Sequence, residues 1–358
     1  MNDMKKGGNM GLTKDSSINI GKIKKGNRNL ITDVEGVKVG HFTLNNEKAK
    51  TGVTAILPHE GNLFKEKVMA SCCVINGFGK SVGLVQVEEL GTIETPIIMT
   101  NTLSVGQATT GLIRYMLEQN EDIGTTTGTV NPVVTECNDS RLNDIRGLHV
   151  KEEHVLEAIN NTSENFEEGA VGSGTGMVCF GLKGGIGSAS RVIELDNNEY
   201  TIGAIVMSNF GSKISFTVDG EKIGEKICEI EAKEKLDKTG KEEKDKGSII
   251  IVVATDIPLS DRQLKRVSKR ATVSLARTGS YLGNGSGDIC IAFTTANKIN
   301  HYSEKKIINV QMIDEDAIDE VFKAVAEAVE ESIISSMYHA KTTVGYNGNT
   351  IRSLREYM

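Results

Sequence analysis

A single α+β domain, layered in the αββα manner, is the fold class that this sequence predicts. Strand-like runs and amphipathic helical patterns occur in mixed order, without the steady β-α-β alternation of a parallel α/β fold. No internal repeat recurs at a solenoid period. Hydrophobic residues make up 38% of the 358 positions, which suffices at this length for one large core.

Residues 30–44, LITDVEGVKVGHFTL, alternate in character with glycine at the bends and read as strand and turn. MASCCVING (69–77) and PIIMTNT (96–102) read as buried strands, and GLVQVEELG between them fits either a strand or a helix. Residues 104–120 fit a helix capped by Ser104, with Leu112, Ile113, Met116 and Leu117 as its apolar stripe. EEHVLEAINN (152–161) fits a second, shorter helix, and YTIGAIVMSNFG (200–211) a strand ending at Asn209. Residues 221–246 are dominated by Lys and Glu and read as a charged surface loop. SIIIVVAT (248–255) is a continuous β-branched run, expected of a strand covered on both faces. Ser260 and Gln263 form a capping box before a helix whose stripe is Leu264, Val267, Ala271 and Leu275. DICIAFTT (288–295) is another buried strand. The longest helix follows Asp314, with Ile318, Val321, Phe322, Val325, Val329 and Ile333 inward.

The net charge of −7 argues against nucleic acid as the main partner. No stretch reaches the roughly 20 apolar residues of a membrane span. Residues 1–28 are polar and charged, without the apolar core of a secretory signal, and are expected to be flexible. With six cysteines and no C-x-x-C pair, a reducing cytoplasm is the expected compartment; Cys72, Cys73, Cys179 and Cys290 read as core filler. No histidine pair has metal-ligand spacing, so no metal is expected. His41, between strand residues, reads as a hydrogen-bonded structural residue.

Glycine is abundant, at 38 residues, and clusters in GSGTGMVCFGLKGGIGSAS (172–190). Neither Lys80 nor Lys183 has the spacing of a Walker loop, and no helical pattern follows the glycines as a dinucleotide fingerprint requires. Close backbone packing near a site is the better reading. GKSVG (79–83) matches a nucleophile elbow with Ser81, but no downstream histidine has a distinctive setting.

Gly247-Ser248 stands where the charged stretch meets the buried run. A serine hydroxyl is a weak nucleophile until a base takes its proton. Cleavage before Ser248 would free an α-amine on the same residue, and such an amine titrates at about 7.7–8.0. An N→O acyl shift at that peptide needs a small preceding residue, which Gly247 is, and a rigid strand behind, which Ile249–Val253 would supply.

The segments LITDVEGVKVGHFTL, GLVQVEELGTIETPIIMTNTLSVG, NPVVTECNDSRLNDIRG, VGSGTGMVCFGLKGGIGSASR, SNFG, GSIIIVVATDIPL and GSGDICIAFTTAN occur in this order. Together they resemble the DmpA-type aminopeptidases, which include L-aminopeptidase/D-amidase-esterases and β-aminopeptidases. The similarity covers residues 28–345 or so. It implies an αββα four-layer sandwich of the DmpA/ornithine-acetyltransferase type, similar to N-terminal-nucleophile hydrolases but differently connected. It implies one catalytic domain (29–358), cut between Gly247 and Ser248 into an α-chain (1–247) and a β-chain (248–358). Ser248 would then be the nucleophile, Ser286 would hydrogen-bond its terminus, and Asp288, where some relatives carry Glu, would hold Ser286 and the amine. Asn209 would donate to the oxyanion, and Glu136 would receive the substrate's ammonium group.

The implied enzyme is a self-processing aminopeptidase or amidase without cofactor, acting on short peptides, amides or esters with a free amino end. Family members are usually oligomers of αβ units, often tetramers. An acyltransferase on the same fold and an uncleaved binding protein are the competing readings.

Overall fold

The computed structural model describes residues 20–234 and 246–358. Its first half runs β1 (Lys38–Asn45), β2 (Lys50–Leu57), β3 (Glu66–Gly77), β4 (Ser81–Val82), α1 (Leu84–Leu90), β5 (Thr92–Ile93), β6 (Ile97–Asn101), α2 (Val105–Gln119), β7 (Val133–Cys137) and α3 (Glu152–Asn160). The second half runs β8 (Val178–Cys179), β9 (Leu182–Lys183), β10 (Gly185–Leu195), β11 (Asn198–Asn209), α4 (Ile223–Lys233), β12 (Lys246–Thr255), α5 (Asp261–Arg277), β13 (Gly285–Asn300) and α6 (Ile318–Tyr338).

Two sheets carry the core. One has the order β1-β2-β6-β7-β4, the other β10-β11-β12-β13-β3-β5. The period-2 alternation of strand side chains assigns each face. Along β12, Ile250, Val252 and Ala254 pack with Ile56, Ile97 and Val133 of the opposite sheet. Ile249, Ile251 and Val253 point the other way, onto Leu264, Val267 and Leu275 of α5 and Val325 and Val329 of α6. Ala55, Ile98 and Val134 of the first sheet meet Leu112 of α2 and Val155 of α3 on its outer face. The layers are therefore α2/α3, sheet, sheet, α5/α6, the αββα sandwich that the sequence predicts.

Several local expectations change. GLVQVEELG forms the short helix α1, bounded by Gly83 at φ 92° and Gly91 at φ 66°, with Leu84 and Val87 inward. In α2 the buried stripe is Ala108, Gly111, Leu112 and Met116, whereas Leu117 is exposed. The small residues face inward because α3 lies close: a Cβ on Gly111 would stand 2.7 Å from the Glu152 carbonyl oxygen. Asn101, not the Ser104 side chain, accepts the free N–H groups of Leu103 and Ser104 at 3.1 Å each. Cys73 is only half-buried.

The charged surface loop expected at 221–246 is in its first part the helix α4, which buries Ile223 and Ile227; residues 235–245 lie outside the described residues. The flexible segment expected at 1–28 is packed from Ile20 onward, and residues 1–19 lie outside the described residues. Ile20 is buried, the N–H groups of Lys22 and Ile23 donate to Glu327 at 3.0 Å, and the buried Arg191 guanidinium donates to Glu327 and Glu331. Among the described residues no helix is long and apolar enough to cross a membrane.

The capping box of α5 is as expected: Ser260 Oγ accepts the Gln263 N–H, and Gln263 Oε1 accepts the Ser260 N–H, both at 3.2 Å. Gln263 Nε2 also donates to the Ile313 carbonyl at 2.9 Å. Ser260→Ala should therefore lower stability by about 1 kcal/mol. Gln263→Ala should cost more, because the half-buried Ile313 carbonyl also loses a donor. Urea unfolding of the two variants checks the ranking.

Candidate active site

Strand direction gathers the expected residues at one end of the sandwich. β11 runs antiparallel to β12 and ends there, with Asn209 opposite Ser248. β13 runs parallel to β12 and begins there, with Ser286 beside Gly247 and Gly287 beside Ser248. In the other sheet, β6 and β7 are parallel and both end there, pairing Thr100 with Glu136. By alternation Ser248 shares the inter-sheet face of Ile250, and Asn209 that of Met207. Ser248, Asn209 and Glu136 all line one open cavity of about 560 Å³. Ser248 is 4% exposed, Glu136 3% and Asn209 7%.

The Asn209 carboxamide is held at both ends. Its Oδ1 accepts the Val178 N–H at 2.9 Å, and its Nδ2 donates to the Asn138 carbonyl at 3.0 Å. The residues after it explain the SNFG run. Phe210 packs edge-on against Phe180 with ring centroids 5.0 Å apart. Gly211, at φ 88°, leaves room for that ring, which a Cβ would approach to 2.3 Å. Glu136 is anchored equally well: Oε1 accepts the Lys80 N–H at 2.7 Å and Oε2 accepts the Thr102 hydroxyl. A carboxylate has about four lone-pair directions, so acceptor capacity remains toward the cavity.

Ser286 Oγ donates to Asp288 Oδ1 at 2.6 Å, and both residues are 1% exposed. Alternation sets this pair on the helix-side face, under Gly247, and not on the face that carries the Ser248 side chain. Gly247 itself has φ 128°, and a Cβ there would lie 1.9 Å from the Asn209 carbonyl oxygen. No residue larger than glycine fits that position without moving β11.

The family model described as "Peptidase family S58" matches residues 29–351. The chain belongs to peptidase family S58. This peptidase is 39% identical over 348 residues to "Beta-peptidyl aminopeptidase BapA" of Sphingosinicella microcystinivorans, covering 92% of this chain and 86% of that one. A solved protein structure from Pyrococcus horikoshii superposes with TM-score 0.87 at 56% identity, covering 94% of each chain. The L-aminopeptidase D-Ala-esterase/amidase of Ochrobactrum anthropi, solved as a variant of the Ntn hydrolase fold, superposes with TM-score 0.85 at 34% identity, again over 94% of each chain. The fold of this S58 peptidase is thus of that Ntn-hydrolase-like type.

The other sequence candidates lie elsewhere in the peptidase. Ser81 is exposed on the edge strand β4 and does not line the cavity. His41 bonds to Thr54 Oγ1 and the Glu167 carbonyl, each at 3.0 Å, and burial pushes it down to about 4. It is a neutral structural imidazole. Among the described residues no group of three His, Cys, Asp or Glu side chains converges as a metal site would.

Nothing in the sequence marks Lys183 as part of the site, since it lacks the spacing of a phosphate loop. Its side chain is wholly buried and its Nζ donates to the carbonyls of Gly174, Met177 and Gly184 at 2.7–3.1 Å. Burial pushes it down to about 7. Three acceptors match the three N–H bonds of the ammonium form, whereas a neutral amine has only two. Lys183 therefore ties together the glycine-rich loop whose Val178 N–H orients Asn209. Cys137, at the end of β7, is likewise unmarked in the sequence. It is buried beside Ser248, and burial first, then the Glu136 charge, pushes its thiol well above the ordinary range. An inert thiol is expected there.

Asp139 anchors the turn after Asn138. Its carbonyl accepts the N–H groups of Leu142 and Asn143 at 3.0 Å, and its Oδ1 accepts Asn143 Nδ2 at 3.0 Å. Burial pushes Asp139 up to about 7, against about 3.9 when unfolded. Between those values the folded chain holds a proton that the unfolded chain has lost. The stability it contributes is complete below the unfolded value and disappears as pH rises through 7. Asp139→Asn should flatten that slope, checked by comparing urea midpoints of both proteins at pH 5 and pH 8.

Proposed function

We propose that this peptidase is an aminopeptidase and amidase that cuts its own chain between Gly247 and Ser248 and then uses Ser248 as an N-terminal nucleophile. The observation that carries the reading is the pairing of Ser248 with Asn209 on adjacent buried strands, at a cavity whose opposite wall presents Glu136. The names of the relatives, a β-peptidyl aminopeptidase and an L-aminopeptidase D-Ala-esterase/amidase, support the same activity.

Each group has one task. The Glu136 carboxylate receives the ammonium of the peptide's amino end. This sets the first carbonyl of the peptide against Ser248 Oγ. The α-amine of Ser248, partly neutral near pH 7, takes the hydroxyl proton as Oγ attacks. The second Nδ2 proton of Asn209 donates to the developing oxyanion; the first is held by Asn138. The amine then passes the proton to the leaving amine, and water hydrolyses the acyl-enzyme. Ser286, beside Gly247 in the parallel register, and Asp288, beside Ile249, position the new terminus. We propose a cytoplasmic location and an oligomer of αβ units in keeping with the family.

Ser248→Ala should leave one uncut and inactive chain on a denaturing gel, where the wild type gives two fragments, one beginning at Ser248 by mass spectrometry. Full peptidase activity in an uncut wild type would overturn the reading. Gly247→Ala should slow or stop the cut for a different reason, the collision with the Asn209 carbonyl. In already processed enzyme, Asn209→Ala should lower kcat by about 10²–10³ with little change in KM. Glu136→Gln should instead raise KM for substrates with a free amine, read on aminoacyl p-nitroanilides.

A further inference from the structure

The buried ammonium of Lys183 and the carboxamide of Asn209 are joined through a single peptide group. Lys183 Nζ donates to the Met177 carbonyl at 2.8 Å. The N–H at the other end of that same peptide, on Val178, donates to Asn209 Oδ1 at 2.9 Å. Asn209 in turn gives one Nδ2 proton to the Asn138 carbonyl at 3.0 Å, and it lines the cavity together with Ser248. Each link runs donor to acceptor in the same sense, from ammonium to peptide to carboxamide. Lys183 stands wholly buried behind the cavity wall.

This chain of bonds is fixed at every link. Val178 pairs antiparallel with Lys183 across β8 and β9, so backbone bonds hold the lysine beside the peptide that it touches. The Met177 carbonyl also accepts the Gly184 N–H at 3.0 Å, which fills both of its acceptor positions. The other two bonds of Nζ go to the Gly174 and Gly184 carbonyls, at 3.1 and 2.7 Å. All three partners are acceptors, as the charged form requires. Only one orientation of the Asn209 amide fits its neighbours. Turned over, it would set donor against the Val178 N–H and acceptor against the Asn138 carbonyl.

A cation at the oxygen of an amide draws electron density from the nitrogen and makes its N–H a stronger donor. Hydrogen-bonded amides in series pass this polarisation on, and a dry interior screens it little. We infer that Lys183 is a positioning residue for catalysis, whose ammonium acts through the Met177–Val178 peptide to orient and polarise the Asn209 carboxamide toward the oxyanion. This rests on the oxyanion role proposed for Asn209 and extends it by two links. Glu136, which receives the substrate's amino end, has no bond to this chain, so the loss of Lys183 falls on kcat and not on KM.

Lys183→Met keeps an unbranched side chain and removes the charge. In processed enzyme it should lower kcat on aminoacyl p-nitroanilides about tenfold, a fraction of the 10²–10³ that losing a whole oxyanion donor costs, with little change in KM. Added to Asn209→Ala, which has no carboxamide left to polarise, it should cost less than about twofold more. A general loosening of the fold would not give that non-additivity. Met177-Val178 is the sole Met-Val step in the sequence, so labelling methionine carbonyls with carbon-13 and valine with nitrogen-15 yields one HNCO peak, that of the Val178 amide. Its proton should lie downfield of ordinary strand amides and move upfield in Lys183→Met, compared in the uncut Ser248→Ala protein so that processing plays no part. An unchanged kcat in Lys183→Met, or an equal loss with and without Asn209, overturns the inference. If Lys183→Met does not fold, an ordinary strand shift for the wild-type Val178 proton overturns it and a downfield one supports it. Loss of kcat in Asn209→Ala but not in Lys183→Met removes only the role of the lysine, whereas an unchanged kcat in Asn209→Ala removes the oxyanion donor itself.

Discussion

A strand buried on both faces has room for a reactive polar group only where it enters the sheet. β12 is such a strand. From Ile249 to Ala254 every side chain is committed to one apolar layer or the other, so Ser248 is the last position that can open onto a cavity. The antiparallel partner β11 must end at that same edge, and the parallel partner β13 must begin there. The parallel ends of β6 and β7 close the arrangement from the facing sheet. Asn209, Ser286 and Glu136 are far apart along the chain, and they meet because strand direction leaves them no other edge.

The polar groups at this edge survive burial because they are tied to backbone groups. Unpaired, each would cost on the order of 1–3 kcal/mol. Glu136 takes an N–H and a hydroxyl, Asn209 takes one N–H and gives one, and Lys183 gives three bonds to one glycine-rich loop. The glycines serve this tying. Their missing side chains let carbonyls and N–H groups approach where a Cβ would collide, as between Gly247 and the Asn209 carbonyl. The result is a set of donors and acceptors that need little rearrangement when a substrate arrives, which is the condition for electrostatic stabilisation in an enzyme.

Much of this was legible in one dimension. The β-branched run at 249–253 announced a doubly covered strand, the Ser260/Gln263 box announced the start of α5, and the stripe of α6 announced its buried face. These signals are local: they depend on alternation, helical period and backbone capping over a few residues. The roles expected of Asn209 and Glu136 came only through the resemblance, because nothing near either residue in the chain distinguishes a donor to an oxyanion from a turn former, or a receptor carboxylate from a surface acid. The inward face of α2 was misread because Ala108 and Gly111 face the core there, and small residues carry little periodic signal. The amphipathic turns of α4 were hidden among lysines and glutamates. Lys183 could not be read as a buried post, since a lysine in a glycine-rich run is buried only when three distant carbonyls converge on it. The sequence alone determined the long buried strands, the α5 and α6 helices and the glycine-serine junction. Tertiary structure decided which strand ends meet, which polar groups are desolvated together and which charges face the cavity, because those depend on pairing between segments that the chain keeps far apart.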